Sequence, residues 1–363
     1  MDRKLNIIDC PGSDDFCGGL FSAFKIADVG ILVINAEEGF EAGTEIQARY
    51  ARKYEKPIIF FVNKLDSEKA SWETALESME HNSQVKPVVV QYPLNPGVGF
   101  NAFIDVLLMK CFRFTDHNGS RVEESIPESE RERAAELHNK LVEAAAENDE
   151  SLMELDKGEL TEDEIRSGLK WGISRRDLIP VFCGSALEDI GTKRLMEFCT
   201  RVAPGPLKAP NFKTVDGGEV EPKADGPTVI FTYKVVNEPH LGEVSFFRVI
   251  TGTLTEGMEL TDTQNGAKEK ITQIFLPVGK NRVKVSELSA GDIGCTVKLK
   301  SAKVNRTLAT AGFDGVIEPI KFPEHRFRTA VGPQDGRRGE ARRRIGQGSS
   351  RRPHHSGGIL QGA

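Results

Sequence analysis

Apolar residues in the first 66 positions follow two alternating patterns. Residues 4–9, 29–35 and 57–62 are short, nearly continuous apolar runs, while 20–27 and 45–54 carry apolar residues at helical spacing. Runs of strand length with no polar alternation suit strands buried on both faces, as in a parallel sheet covered by helices. The pattern then changes. Residues 87–92 predict a strand, followed by a loop with Pro93, Pro96 and two glycines and an apolar stretch over 103–114. Highly charged segments at about 128–148 and 161–171 predict helices with one solvated face. Residues 179–183 resume the buried-strand pattern, Gly184, Ser185 and Ala186 follow, and a helix is predicted over 192–202. This predicts a parallel α/β domain over 1–204, interrupted by an α+β insert at about 67–178 and then completed.

Beyond a Pro-rich stretch at 203–210 the period becomes that of strands. Residues 228–236, 243–250, 258–260, 271–276 and 295–299 are strand candidates punctuated by glycine turns, a spacing that suits a small closed β-barrel over 205–315. Residues 316–331 are expected to begin a third domain. The remainder, 332–363, is rich in Arg and Gly without helical or strand period, and is read as a disordered tail.

Composition narrows the class. Hydrophobic residues make up 39% of the 363, ordinary for a globular protein, and no apolar run reaches the roughly 18 to 20 residues of a membrane span. Residues 1–10 lack the apolar core of a signal peptide, so a cytoplasmic protein is expected. The six cysteines form no C-x-x-C pair and have no histidines at zinc spacing, and read as reduced thiols. A formal net charge of −6 gives no bulk attraction to nucleic acid, so RNA would be met through local basic patches.

Three short motifs occur in fixed order. Asp9, Cys10, Pro11 and Gly12 end the first strand candidate, with Ser13 next, Asn63, Lys64, Leu65 and Asp66 end the third, and Ser185 with Ala186 follow the last run of the same sheet. The C-terminal ends of parallel strands share one edge, where ligands bind, so the motifs are expected to converge there. Each suits a part of a guanine nucleotide. The Asp66 carboxylate can accept from N1 and N2 of guanine, a donor pair that adenine lacks. Asn63 can tie the loop to the base, the Lys64 stem can lie along the ring, and backbone N–H groups at Ser185 and Ala186 can meet O6. Asp9 is placed to help hold Mg²⁺ through water, and the Gly12 N–H to approach a γ-phosphate with no Cβ in the way.

At these residues the sequence resembles elongation factor G, a translational GTPase. Leu5-Asn-Ile-Ile-Asp-Cys-Pro-Gly-Ser-Asp-Asp-Phe16 resembles its switch II segment, and Lys56-Pro-Ile-Ile-Phe-Phe-Val-Asn-Lys-Leu-Asp66 its base-recognition strand. The resemblance continues through Pro87-Val-Val-Val-Gln-Tyr-Pro93, Pro180-Val-Phe-Cys-Gly-Ser-Ala-Leu187 and, in the barrel, Phe247-Arg-Val-Ile-Thr-Gly-Thr-Leu254. It implies an α/β P-loop-type GTPase sheet with its front part missing, an α+β insert and an all-β barrel. It also implies GTP or GDP and Mg²⁺ as ligands, and the ribosome, through rRNA and stalk proteins, as partner.

Two positions depart from that family. Ser13 stands where the family has the histidine that positions the attacking water, which marks a divergent, paralogue-like version and predicts slow or absent hydrolysis. No G-x-x-x-x-G-K-[S/T] occurs in the 363 residues, so the resemblance implies a chain truncated at both its N-terminal and C-terminal ends. Whether it hydrolyses GTP stays open at this point. The expectation is a fragment of a translocation GTPase that binds guanine nucleotide; the alternatives are a GTPase-inactive ribosome-binding module and a non-functional remnant.

Overall fold

The computed structural model describes residues 3–12, 17–116, 119–147, 160–238, 242–299 and 303–322. The chain divides into two compact units. One is built on Ala27–Pro210; the other takes Asn6–Cys10, Cys17–Ile26 and the described residues from Asn211 on.

The first unit holds four parallel strands, β1 (Gly30–Asn35), β2 (Ile58–Asn63), β3 (Pro87–Val89) and β8 (Ile179–Cys183), in the order β1-β2-β8-β3. The continuous apolar runs are explained by their place: β8 is buried at every position, and β2 at every position before Asn63. Helices α2 (Ala42–Lys53), α3 (Trp72–Asn82) and α6 (Thr192–Arg201) connect or follow these strands, and Ser71 caps α3 by accepting from the Thr74 N–H. A second, antiparallel sheet has the order β4 (Gln91–Pro93), β5 (Ala102–Asp105), β6 (Lys110–Phe114), β7 (Arg121–Glu124). Helices α4 (Arg131–Ala146) and α5 (Glu162–Arg175) follow, α5 opening with a capping box between Thr161 and Glu164. The strand expected over 87–92 is thus two strands in two sheets. Val90 turns the chain from one to the other, its N–H donating to Val181 O and its carbonyl accepting from the Val106 N–H.

One expected strand does not form. Residues 4–9 make no ladder and are mostly exposed, Ile7 at 75%. An apolar run becomes a strand only where a neighbouring edge takes up its N–H and C=O groups. Among the described residues no strand ladder includes residues 4–9, and the parallel sheet begins at β1.

In the second unit, a two-stranded ladder of β9 (Phe212–Lys213) with β10 (Glu219–Val220) comes first, and β11 (Val229–Glu238), β12 (Gly242–Thr251), β14 (Glu259–Asp262), β15 (Lys268–Lys270), β16 (Ile274–Val278), β17 (Asn281–Val285), β19 (Ile293–Val297) and β20 (Arg306–Ala309) form an antiparallel sheet ordered β15-β14-β20-β11-β12-β19-β16-β17. A short ladder of β13 (Thr253–Thr255) with β18 (Glu287–Ser289) brings the two ends together. β13 leads into β14, β18 follows β17, and between them the Glu256 N–H donates to Ser286 O. The sheet therefore closes on itself around Phe231, Phe247, Leu254, Leu260, Ile274 and Leu288.

Helix α1 (Cys17–Ile26) belongs to this second unit. Arg248 of β12, almost fully buried, donates from Nη1 to Ile26 O and lies 5.3 Å from the Phe212 ring centroid. Lys25 lies over the same ring at 5.9 Å. Residues 316–320 are also tied here, through Val215 N to Val316 O, Ile317 N to Thr307 Oγ1 and Ile320 N to Asn305 Oδ1. Of the expected third-domain start, only residues up to 322 are described, and the Arg/Gly-rich tail lies outside the described residues.

Candidate functional site

The second and third motifs meet at the C-terminal edge of the parallel sheet. The register pairs Asn35 with Asn63 and Val62 with Cys183, so β1, β2 and β8 end together. Gly184 continues β8 by donating to Val62 O, and its carbonyl accepts from the Leu65 N–H at 3.3 Å. A Cβ on Gly184 would lie 2.2 Å from Ile190 O and 2.8 Å from Phe61 Cζ, so no other residue fits there without moving backbone. Leu65 is fully buried and its carbonyl accepts from the Gly97 N–H at 2.7 Å, which anchors the loop from below.

The side chain of Asn63 bridges the two loops: its Oδ1 accepts from the Ala186 N–H at 2.8 Å. Lys64 takes a left-handed backbone, φ 63°, and is exposed, leaving its stem free to cover a planar ring. A lysine in that conformation is strained, and such strain gathers at functional loops. Asp66 Oδ1 is buried and has no hydrogen-bond partner among the described residues. A buried carboxylate oxygen without a donor is costly, and a ligand presenting N–H groups would satisfy it. The guanine edge therefore fits the residues present.

Ser185 has a different part from the one its motif suggests. Its N–H donates to Ile190 O, its carbonyl accepts from the Ile190 N–H, and its buried hydroxyl accepts from the Glu188 N–H. With its backbone fully used, Ser185 closes the 185–190 loop and offers no N–H to a base. Ala186 is exposed, and its N–H, held by Asn63 Oδ1, is the one a base oxygen could share.

The first motif is divided between the two units. Asp9 and Cys10 fall in the second unit, Pro11 and Gly12 in the first, and Ser13 lies outside the described residues. Asp9 is exposed, and among the described residues no group of three His, Cys, Asp or Glu is placed to hold a metal. A single carboxylate such as Asp9 can assist Mg²⁺ only together with waters and phosphate oxygens, the usual arrangement for that ion. Burial, with the neighbouring Asp9 carboxylate second and Lys234 opposing, raises the Cys10 thiol pKa, so it is no activated nucleophile.

The motifs missed the braces. Gly184, Gly191 and Ile190 shape the base-side loop; the Gly191 φ of 87° and the 2.4 Å separation of a Cβ there from Cys183 O fix it as glycine. The spacing of two glycines around Ser185 and Ala186 was the available signal.

Residues 1–205 match the family profile of the elongation factor Tu GTP binding domain, and residues 227–311 that of elongation factor G domain 2. A crystal structure of a protein from Thermus thermophilus superposes with a TM-score of 0.81 at 25% identity. The alignment covers 95% of this chain and 50% of that one, so this chain spans about half the length of its structural relative. Among the described residues no helix is long and apolar enough to cross a membrane. With the profile spanning more than half its length, the chain belongs to the elongation factor Tu GTP-binding-domain family of translational GTPases.

Proposed function

We propose that this chain is the base-recognising and barrel portion of an elongation factor G-type GTPase, acting at the translocation step on the ribosome. The observation that carries the nucleotide reading is Asp66, whose buried oxygen lacks a donor beside the loop that Asn63 ties to Ala186. In this reading Asp66 accepts from N1 and N2 of guanine, the Lys64 stem covers the ring, Asn63 holds the two loops in register and the Ala186 N–H meets O6. Adenine would leave the carboxylate unpaired, and the discrimination follows from that mismatch. The elongation factor G assignment is supported by the domain 2 match over 227–311 and by the sheet of β4 to β7 with α4 and α5 set between β3 and β8. Bound Mg²⁺ would neutralise phosphate charge; Asp9, Gly12 and Ser13 are the positions on this chain that the family resemblance assigns to that side.

The test is titration of the purified chain with fluorescent GDP and GTP, with ATP as competitor and Asp66→Asn as control. Guanine-specific binding lost in Asp66→Asn supports the reading. A second reading, a module that reaches the ribosome without nucleotide, is favoured by Ser13, which stands where the family resemblance places a histidine. Ribosome co-sedimentation unaffected by GDP or GTP, in a chain that binds neither, would establish it instead.

A further inference from the structure

A buried charge cluster joins the second sheet to the helix that follows the base-side loop. Asp105, at the end of β5, is fully buried and receives Arg194 Nε at 2.7 Å and Gln91 Nε2 at 3.1 Å on Oδ2, while Oδ1 accepts from the Leu108 N–H at 3.0 Å. Arg194 is 2% exposed and sits in the first turn of α6, three residues after Gly191 closes the loop. A second tie lies outside it: Arg121 of β7 donates from Nη2 to Glu197 of α6 at 3.1 and 3.3 Å. The turn before β7 also reaches the loop tip, since a Cβ on Gly119 would lie 2.8 Å from Asp189 Oδ2.

An ion pair taken wholly out of water adds little net stability compared with apolar residues of the same volume, because desolvating both charges offsets their attraction. What it does supply is direction. Here Arg194 Nη2 and Gln91 Oε1 remain without partners among the described residues, a further cost that packing for stability alone would avoid. The cluster fixes the start of α6, whose Leu195 N–H donates to Gly191 O, and the adjoining Ile190 exchanges both backbone hydrogen bonds with Ser185, the residue before Ala186.

We propose that Asp105, Gln91 and Arg194, reinforced by Arg121 and Glu197, are positioning residues that set the Ala186 N–H for the O6 atom of guanine from the second sheet. The proposal rests on the guanine reading above. It makes β4 to β7 a support of base specificity, so that a partner pressing on that sheet would alter nucleotide affinity through α6.

The experiment compares GDP with 6-thioguanosine diphosphate, which keeps the N1–H and 2-amino donors facing Asp66 but replaces O6 with a weakly accepting sulfur. In Asp105→Asn and in Arg121→Met, GDP affinity is expected to fall about tenfold while the 6-thio analogue binds as before. Arg121→Met leaves the inner pair intact, so it reports even where Asp105→Asn does not fold. Equal losses for both ligands, or none, would overturn the proposal. Asp66→Asn weakens both ligands through the shared N1–H and 2-amino donors and so reports on the pocket itself. If the unsubstituted chain shows no guanine preference, the reading above fails on its own. Amide hydrogen exchange at Ser185, Ala186 and Ile190 then decides the positioning role: exchange about tenfold faster in either variant supports it, and unchanged exchange refutes it.

Discussion

Asp66 is the residue whose chemistry is most sharply defined by its surroundings. Its Oδ1 is buried without a donor, so an isosteric amide there changes what the pocket accepts. Asp66→Asn is expected to weaken GDP binding by at least about a hundredfold, the loss of two charge-assisted hydrogen bonds. The same variant should gain affinity for xanthine nucleotides, whose 2-carbonyl accepts from the new amide; competition titration measures both. Gly184 is constrained by space and not by charge. Gly184→Ala places a methyl against Ile190 O and Phe61 and should cost about 3 kcal/mol in chemical denaturation, with the β8 end displaced. Asp66 was legible in the sequence because hydrogen-bonding chemistry is carried by residue type. The saturated backbone of Ser185 was not, because it depends on Ile190 folding back across the loop.

At the scale of elements, helix α1 shows how packing sets a titration. Burial against the Phe212 ring pulls the Lys25 pKa down from 10.5 to about 8, with Glu318 opposing and Lys321 and Lys213 adding to the fall. Between about pH 8 and 10.5 the unfolded chain holds a proton that the folded chain has released, so stability rises with pH across that window. Below pH 8 both states carry the charge and the cost of burying it is complete. The melting temperature of the second unit should therefore rise from pH 7.5 to 9.5, and Lys25→Met should flatten that rise while stabilising the protein at pH 7.5. Scanning calorimetry across this range checks it; a rise preserved in Lys25→Met would assign it to another group. The period of α1 was readable in the sequence. Its membership of the barrel unit was not, because the contact between Ile26 and Arg248 spans 222 residues.

For the whole molecule, the outer edge of β1 carries a consequence. The N–H groups of Gly30 and Ala36 bond toward β2, so with strand alternation the backbones of Ile31 and Val33 face away from it. These two residues are 41% and 55% exposed. Apolar strand edges of this kind pair with other chains unless a charge is placed on them. The protein is expected to self-associate as its concentration rises, and Val33→Lys to suppress this, as read by sedimentation velocity.

What the sequence determined alone were the properties that belong to short stretches. The apolar runs at 57–62 and 179–183 became buried parallel strands, because an unbroken aliphatic run suits a place between two covered faces, whereas the run at 29–35 formed a parallel strand with only Leu32 and Ile34 buried and Ile31 and Val33 exposed. The Asn63 to Asp66 loop lies beside Ser185 and Ala186 because parallel strands end on one edge. The tertiary structure decided what depends on partners distant in the chain. Residues 4–9 have strand composition but no ladder, since propensity cannot supply the facing N–H and C=O groups. Residues 87–92 divide between two sheets because Val90 bonds to both β8 and Val106. Asp105 and Arg194, 89 residues apart, look like ordinary surface charges in sequence and form a buried pair only when β5 and α6 pack. Local pattern encodes which face of an element is apolar; which other element covers that face is settled only by the closure of the whole fold.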